Sequence, residues 1–130
     1  MIFGIGVDIL RAERVHASYA RFGERFAERL LMPEELRLYR RQKNPGRFLA
    51  MRFAAKEAVV KAMGTGFANG MWIRDAGVLP DRFGRPEIVF SERGRAKCAE
   101  LGIGDGHLTL SDEAGLIVAV VVLMRTGVAE

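Results

Sequence analysis

A single cysteine, Cys98, stands in the whole chain. One thiol closes no internal disulfide and gives no cysteine metal-site spacing, so a disulfide-stapled secreted domain is excluded. Its surroundings are helical in pattern, which makes Cys98 a small core residue. Long apolar runs are missing as well. The longest, Leu116 to Met124, is nine residues, against roughly 20 for a helix that spans a bilayer. The first apolar run is stopped by Asp8, so no signal peptide is expected. A cytoplasmic protein without a membrane partner is the expectation. No G-x-x-x-x-G-K-[ST] occurs, which excludes a P-loop. Repeats, low-complexity segments and an internal boundary are also absent. The 130 residues are expected to form one domain, 1–130, large enough for a real core.

What is present is unevenly charged. The net charge is +4, but residues 1–61 hold 13 Lys/Arg against 7 Asp/Glu, while residues 62–130 hold 7 against 9. The first half is the half that meets an anion.

The chain is organised around Arg47 to Gly66. Strong helix formers fill it without a break, and Gly64 stands where a terminating glycine belongs. Met51, Ala55, Ala58, Val59 and Ala62 cover one broad side, and Leu49, Phe53 and Val60 another. A helix apolar nearly all round is central. Charges on such a helix are costly unless they pair or bind something. Glu57 and Lys61, four apart, share a strip walled by Ala50 and Ala54, while Arg52 and Lys56 project elsewhere. Two readings stand side by side. One is an i,i+4 ion pair. The other is a carboxylate for a hard divalent cation with a lysine for a phosphate.

Ile2 to Leu10 reads as a strand. Phe3, Ile5, Val7 and Ile9 line one face; Gly4, Gly6 and Asp8 line the other and leave it bare for another element or a ligand. Asp8 either caps the next helix or borders that shallow place. Arg11 to Gly23 is a helix, and Glu24 to Leu31 continues it after a bend. Arg14, Arg21 and Arg25 recur at i, i+7 and i+11, a basic face that is either solvated or meets an anionic partner. Pro33 opens a further helix, and Asn44-Pro45-Gly46 is a turn. A glycine-rich loop runs to Gly70. Strands are expected over Trp72–Leu79, Glu87–Phe90 and His107–Leu110, with Leu108 and Leu110 inward. Ser91 caps a helix over Glu92–Leu101. Leu116–Met124, β-branched and apolar on both faces, is a central strand.

Three blocks carry a resemblance. Gly4-Ile5-Gly6-Val7-Asp8-Ile9, then Arg52-Phe53-Ala54-Ala55-Lys56-Glu57-Ala58 with Lys61-Ala62-Met63-Gly64-Thr65-Gly66, and His107-Leu108-Thr109-Leu110 resemble the bacterial holo-acyl-carrier-protein synthases. The resemblance covers essentially the whole chain. It implies an α+β fold, a long central helix packed on a curved antiparallel sheet, and a homotrimer with active sites between subunits. It implies transfer of 4′-phosphopantetheine from coenzyme A to a serine of acyl carrier protein, releasing adenosine 3′,5′-bisphosphate, in fatty acid biosynthesis. By resemblance Asp8 and Glu57 are magnesium ligands, Lys61 contacts phosphate, and the three form the catalytic set. Gly64 and His107 are implied near coenzyme A, and Arg14, with Arg21 and Arg25 on its face, docks the carrier protein. The 3′-phosphate needs its own cation from Lys43, Arg47 or Arg52. The serine proton goes either to Glu57 or to a water at the metal. Two positions depart from the family. Many members have a second histidine where this chain has Asp112, and many have Ser or Thr where it has Met32, with Glu35 kept.

Two other classes are weighed against this reading. A nucleic-acid-binding module is suggested by the basic charge, but the basic residues are helical, not interleaved with exposed aromatics, and no binding motif appears. A silent adaptor docking acidic proteins has no use for Asp8, Glu57 and Lys61 together.

Overall fold

The computed structural model describes residues 1–127. The chain runs β1 (Ile2–Arg11), α1 (Ala12–Phe22), α2 (Glu24–Leu30), α3 (Pro33–Tyr39), α4 (Pro45–Met63), β2 (Ala76–Pro80), β3 (Pro86–Phe90), α5 (Glu92–Leu101), β4 (Ile103–Glu113) and β5 (Leu116–Arg125). Among the described residues no helix is long and apolar enough to cross a membrane.

The long helix α4 is the centre, as its all-round apolar surface requires. Leu49, Ala54, Ala58, Val59 and Ala62 are buried along it. It starts earlier than the turn expected at Asn44-Pro45-Gly46. Pro45 occupies the first helical position, where its missing N–H costs nothing, and Asn44 Oδ1 accepts from the Arg47 amide at 3.1 Å. Gly64, at φ 79°, ends it in the left-handed conformation.

The sheet beneath α4 is antiparallel with strand order β1-β5-β4, so Leu116–Arg125 is the central strand that its sequence predicts. A β2–β3 hairpin forms a separate two-stranded sheet. Strand β1 alternates as expected, but its glycine face is the one turned to the core. A Cβ on Gly4 would collide with the carbonyl oxygen of Ala62, and one on Gly6 with that of Ala58. Helix backbone therefore rests directly on strand backbone. Ile5, Val7 and Ile9 face away, at 59%, 47% and 69% exposure, while Leu10 is buried. In register beside them lie Val122, Val120 and Val118 of β5.

A further difference has a local cause. The strand expected from Trp72 begins only at Ala76, because Ile73–Asp75 forms a 3-10 turn. Asp75 holds it there by accepting from the Trp72 amide (2.8 Å), Ser91 Oγ (2.7 Å) and Arg93 Nε (3.0 Å). Those bonds keep the Asp75 carboxyl below the usual carboxylate range, against the opposing effect of its burial. The bend expected after Gly23 is present: a φ of 58° at Gly23 ends α1 and separates it from α2. Ser91 caps α5 as expected, its Oγ accepting from the Gly94 amide.

Candidate active site

Asp8 lies on the helix-facing side of β1, two residues beyond Gly6, and this places it beside α4. Lys61 crosses to it. Its Nζ donates to Asp8 Oδ1 at 3.0 Å and to the Val7 carbonyl at 3.2 Å. Lys61 thus turns to β1 rather than forming the i,i+4 pair with Glu57. Nor does Asp8 cap α1, whose N-cap residue is Arg11 with no side-chain cap bond. Glu57, half-buried one turn before Lys61, completes the group. Burial raises its carboxyl above the ordinary glutamate value, the negative charge of Asp8 adds to the rise, and Lys61 opposes it. The contact of α4 and β1 through Gly4 and Gly6 is what brings residues 8, 57 and 61 together.

Two carboxylates with mutual repulsion and one flanking ammonium fit a hard divalent cation. Among the described residues no group of three or more His, Cys, Asp or Glu could hold a metal. Two carboxylates by themselves leave the other positions around such an ion to water and phosphate oxygens.

A second basic group lies in the N-terminal half of α4. Arg47 and Arg52 border a cavity of about 320 Å³ together with Gln42, Phe48 and Met51. The Arg52 guanidinium stacks on Phe48 at 4.3 Å and stands 3.4 Å from Glu35. Burial lowers its pKa, partly offset by Glu35. Its buried Nε has no hydrogen-bond partner among the described residues. Lys43 is exposed just ahead of the helix. From Arg47 to Glu57 the helix rises by about 15 Å, so the two groups are separate places on one protomer.

His107 is separated more completely. It pairs with Val122, which pairs with Ile5, so it belongs to the outer face of the sheet. Asp8 pairs with buried Ala119 on the inner face. Within one protomer, then, Asp8, Glu57 and Lys61 meet, while His107 looks the other way. It borders a groove of about 940 Å³ between β3 and β4, with Arg85 and Ile88. Leu108 and Leu110 turn inward as expected. Gly64 lies at the end of α4, its amide bonded to the Lys61 carbonyl at 3.1 Å.

The basic face is less regular than one helix would make it, because Gly23 breaks the wheel between Arg21 and Arg25. Arg14, Arg21 and Arg25 are all exposed. Arg14 and Arg25 border two small cavities that share Ser18 and Phe26. Arg21 lies over Phe22 at 5.0 Å.

Sequence reasoning missed one constellation. Lys56, fully buried, donates to Glu35 Oε1 at 2.7 Å and to the Ala76 carbonyl at 2.6 Å. Glu35 also accepts from the amides of Met32 (3.0 Å) and Val78 (2.9 Å). The pair locks α3, α4 and β2 together next to Glu57. A lone lysine inside an apolar helix was the signal available, and it named no partner. Glu35 takes the amide of Met32, the half of that cap which needs no hydroxyl.

Residues 4–121 match the model of the 4′-phosphopantetheinyl transferase superfamily. The holo-[acyl-carrier-protein] synthase of Hamiltonella defensa is 42% identical over 122 residues, covering 94% of this chain and 97% of that protein. The crystal structure of the Neisseria meningitidis synthase superposes with a TM-score of 0.91 at 39% identity, covering 96% of this chain and all of the other. A Helicobacter pylori synthase solved in complex with coenzyme A superposes with a TM-score of 0.79 at 30% identity, covering 92% and 98%.

Proposed function

The chain belongs to the holo-[acyl-carrier-protein] synthase family of the 4′-phosphopantetheinyl transferase superfamily, and we propose on that premise that it moves 4′-phosphopantetheine from coenzyme A to a serine of apo acyl carrier protein. The serine oxygen bonds to the phosphorus bearing the pantetheine. The bond from that phosphorus to the bridging oxygen breaks, and adenosine 3′,5′-bisphosphate leaves. The observation that carries the reading is the meeting of Asp8, Glu57 and Lys61 across the α4–β1 contact.

Such transfers depend on positioning and charge neutralisation more than on covalent help. Lys61, already beside Asp8, sets a positive charge against the diphosphate and the departing phosphate. The serine proton goes either to Glu57 or to a water in the same group. Asp8 and Glu57 would hold magnesium, which supplies further charge neutralisation at the diphosphate. Arg47, Arg52 and Lys43 serve the 3′-phosphate from a neighbouring copy, since they lie well along α4 from Glu57, and Gly64 ends α4 beside the diphosphate. Arg14, Arg21 and Arg25 meet the carrier protein.

Assembly as a closed homotrimer, with active sites between subunits, is part of the proposal. Its support is the position of His107 behind the sheet and the uncovered row of Ile5, Val7 and Ile9 beside it. A neighbouring copy would bring the His107 groove to the Asp8–Glu57–Lys61 site of this one. A single domain over residues 1–130, acting in the cytoplasm in fatty acid biosynthesis, completes the reading.

The test is direct. Apo acyl carrier protein is mixed with this protein, coenzyme A and magnesium, and mass spectrometry reads the carrier. A gain of one phosphopantetheine, lost on chelation, is expected. An unmodified carrier with coenzyme A intact overturns the assignment.

A further inference from the structure

Asp112, near the end of β4, reaches across to the first turn of α4 and accepts from Arg47 Nε at 2.5 Å. This is the one partner that the Arg47 side chain has among the described residues. The pair is too exposed to contribute much to stability, with Arg47 at 56% and Asp112 at 28% side-chain exposure. Its geometry is nonetheless specific. A guanidinium offers five N–H groups in a fixed fork, and Asp112 takes the inner one. The four on the terminal Nη atoms are left for another anion. The backbone of Arg47 is fixed as well, through Asn44. Arg47 borders the 320 Å³ cavity that Arg52 also borders, with its own guanidinium stacked on Phe48. Two cations are therefore presented to one small cavity, one held by stacking and the other by a carboxylate behind it.

We propose that Asp112 is a positioning residue for nucleotide recognition: it anchors Arg47 by Nε so that the Nη groups face the 3′-phosphate of coenzyme A in this cavity. The proposal rests on the coenzyme A reading above. An arginine free in solvent loses its rotamer freedom when it grips a phosphate, and a pre-ordered one does not. The anchor therefore acts on ligands that carry the 3′-phosphate and not on those that lack it. A bidentate Arg–phosphate contact also depends on angle as well as on distance, which is why holding the fork matters. The charge of Asp112 works the other way, since it reduces the local positive potential. The geometry makes orientation the larger effect.

The experiment is calorimetric titration of the full chain with coenzyme A and with 3′-dephospho-coenzyme A, for the parent protein, D112A, D112N and R47A. D112A is expected to weaken coenzyme A binding by ~5- to 10-fold and to leave the dephospho compound unchanged, on the scale of a lost charge-assisted contact. Its ratio of the two affinities should approach that of R47A. D112N, whose amide oxygen can still accept from Nε, should recover part of the loss. Equal weakening of both ligands, or tighter coenzyme A binding in D112A, overturns the proposal. Transfer to apo carrier protein is followed in parallel. Parent transfer with a silent D112A removes only the anchor; the expected titration pattern without any transfer keeps the anchor and removes the synthase reading. If the parent does not bind coenzyme A, both fall.

Discussion

Glu57 sits in an environment that disfavours its charge. Burial and Asp8 raise its carboxyl, and Lys61 recovers only part of this. A raised folded-state value means that the folded chain binds this proton more tightly than the unfolded chain. Stability therefore rises as pH falls through the raised value, and the penalty is fully present above it. Glu57→Gln removes the penalty, so its thermal midpoint should exceed the parent's at pH 8, and the gap should narrow in acid. Transfer activity should fall at least ~100-fold, the scale of losing a general base or a charge-organising group. Calorimetry at two pH values with a transfer assay checks both parts. A Glu57→Gln protein within tenfold of parent activity would remove this carboxylate from the site. The three residues were each nameable in the sequence, but their meeting was not. Asp8 and Lys61 are 53 positions apart, and nothing in the stretch between them states that strand and helix touch there.

At the scale of elements, α4 could be read almost completely, because propensity, apolar surface and the closing glycine agree. Strand β1 could be read only by half. Period-two alternation fixes which residues share a face, but not which face turns inward. Here the emptier face won, because helix backbone needs the space that Gly4 and Gly6 leave. The Glu35–Lys56 pair was beyond reach for a different reason: its partners are 21 positions apart on two helices. Removing one partner of a buried pair leaves an uncompensated charge. Burial already lowers the Lys56 pKa, with Glu35 opposing. Lys56→Met should cost about 3–5 kcal/mol. Adding Glu35→Leu should recover only part of this, because the amides of Met32 and Val78 then lose their acceptor. Denaturant midpoints of the two variants decide it; a single variant costing under about 1 kcal/mol would mean that the pair is dispensable.

For the whole molecule, the outer face of the sheet leaves Ile5, Val7 and Ile9 uncovered. Val7 points away from the core, so Val7→Asp should leave the fold intact while disrupting the proposed trimer and its transfer activity. Sedimentation gives the mass and the assay gives the rest. An assembled, active variant would clear that face of any role. The basic surface of α1 and α2 predicts a different signature. Arg14→Glu should raise the KM for carrier protein by about tenfold at low salt, a difference that salt then narrows, and should leave the KM for coenzyme A unchanged. Steady-state kinetics with each substrate varied in turn measures this. Equal losses for both substrates would assign Arg14 to the fold instead.

The contact through Gly4 and Gly6 has one more consequence. Asp8 and Glu57 are carried by two main chains that touch with no side chain between them, and main chain has no rotamers to redistribute. Exchanges among Leu, Val and Met elsewhere in the interior should shift the melting temperature while cation affinity stays constant. Thermal robustness and the proposed metal grip are then free to drift apart over generations, each without constraining the other, for as long as positions 4 and 6 stay bare.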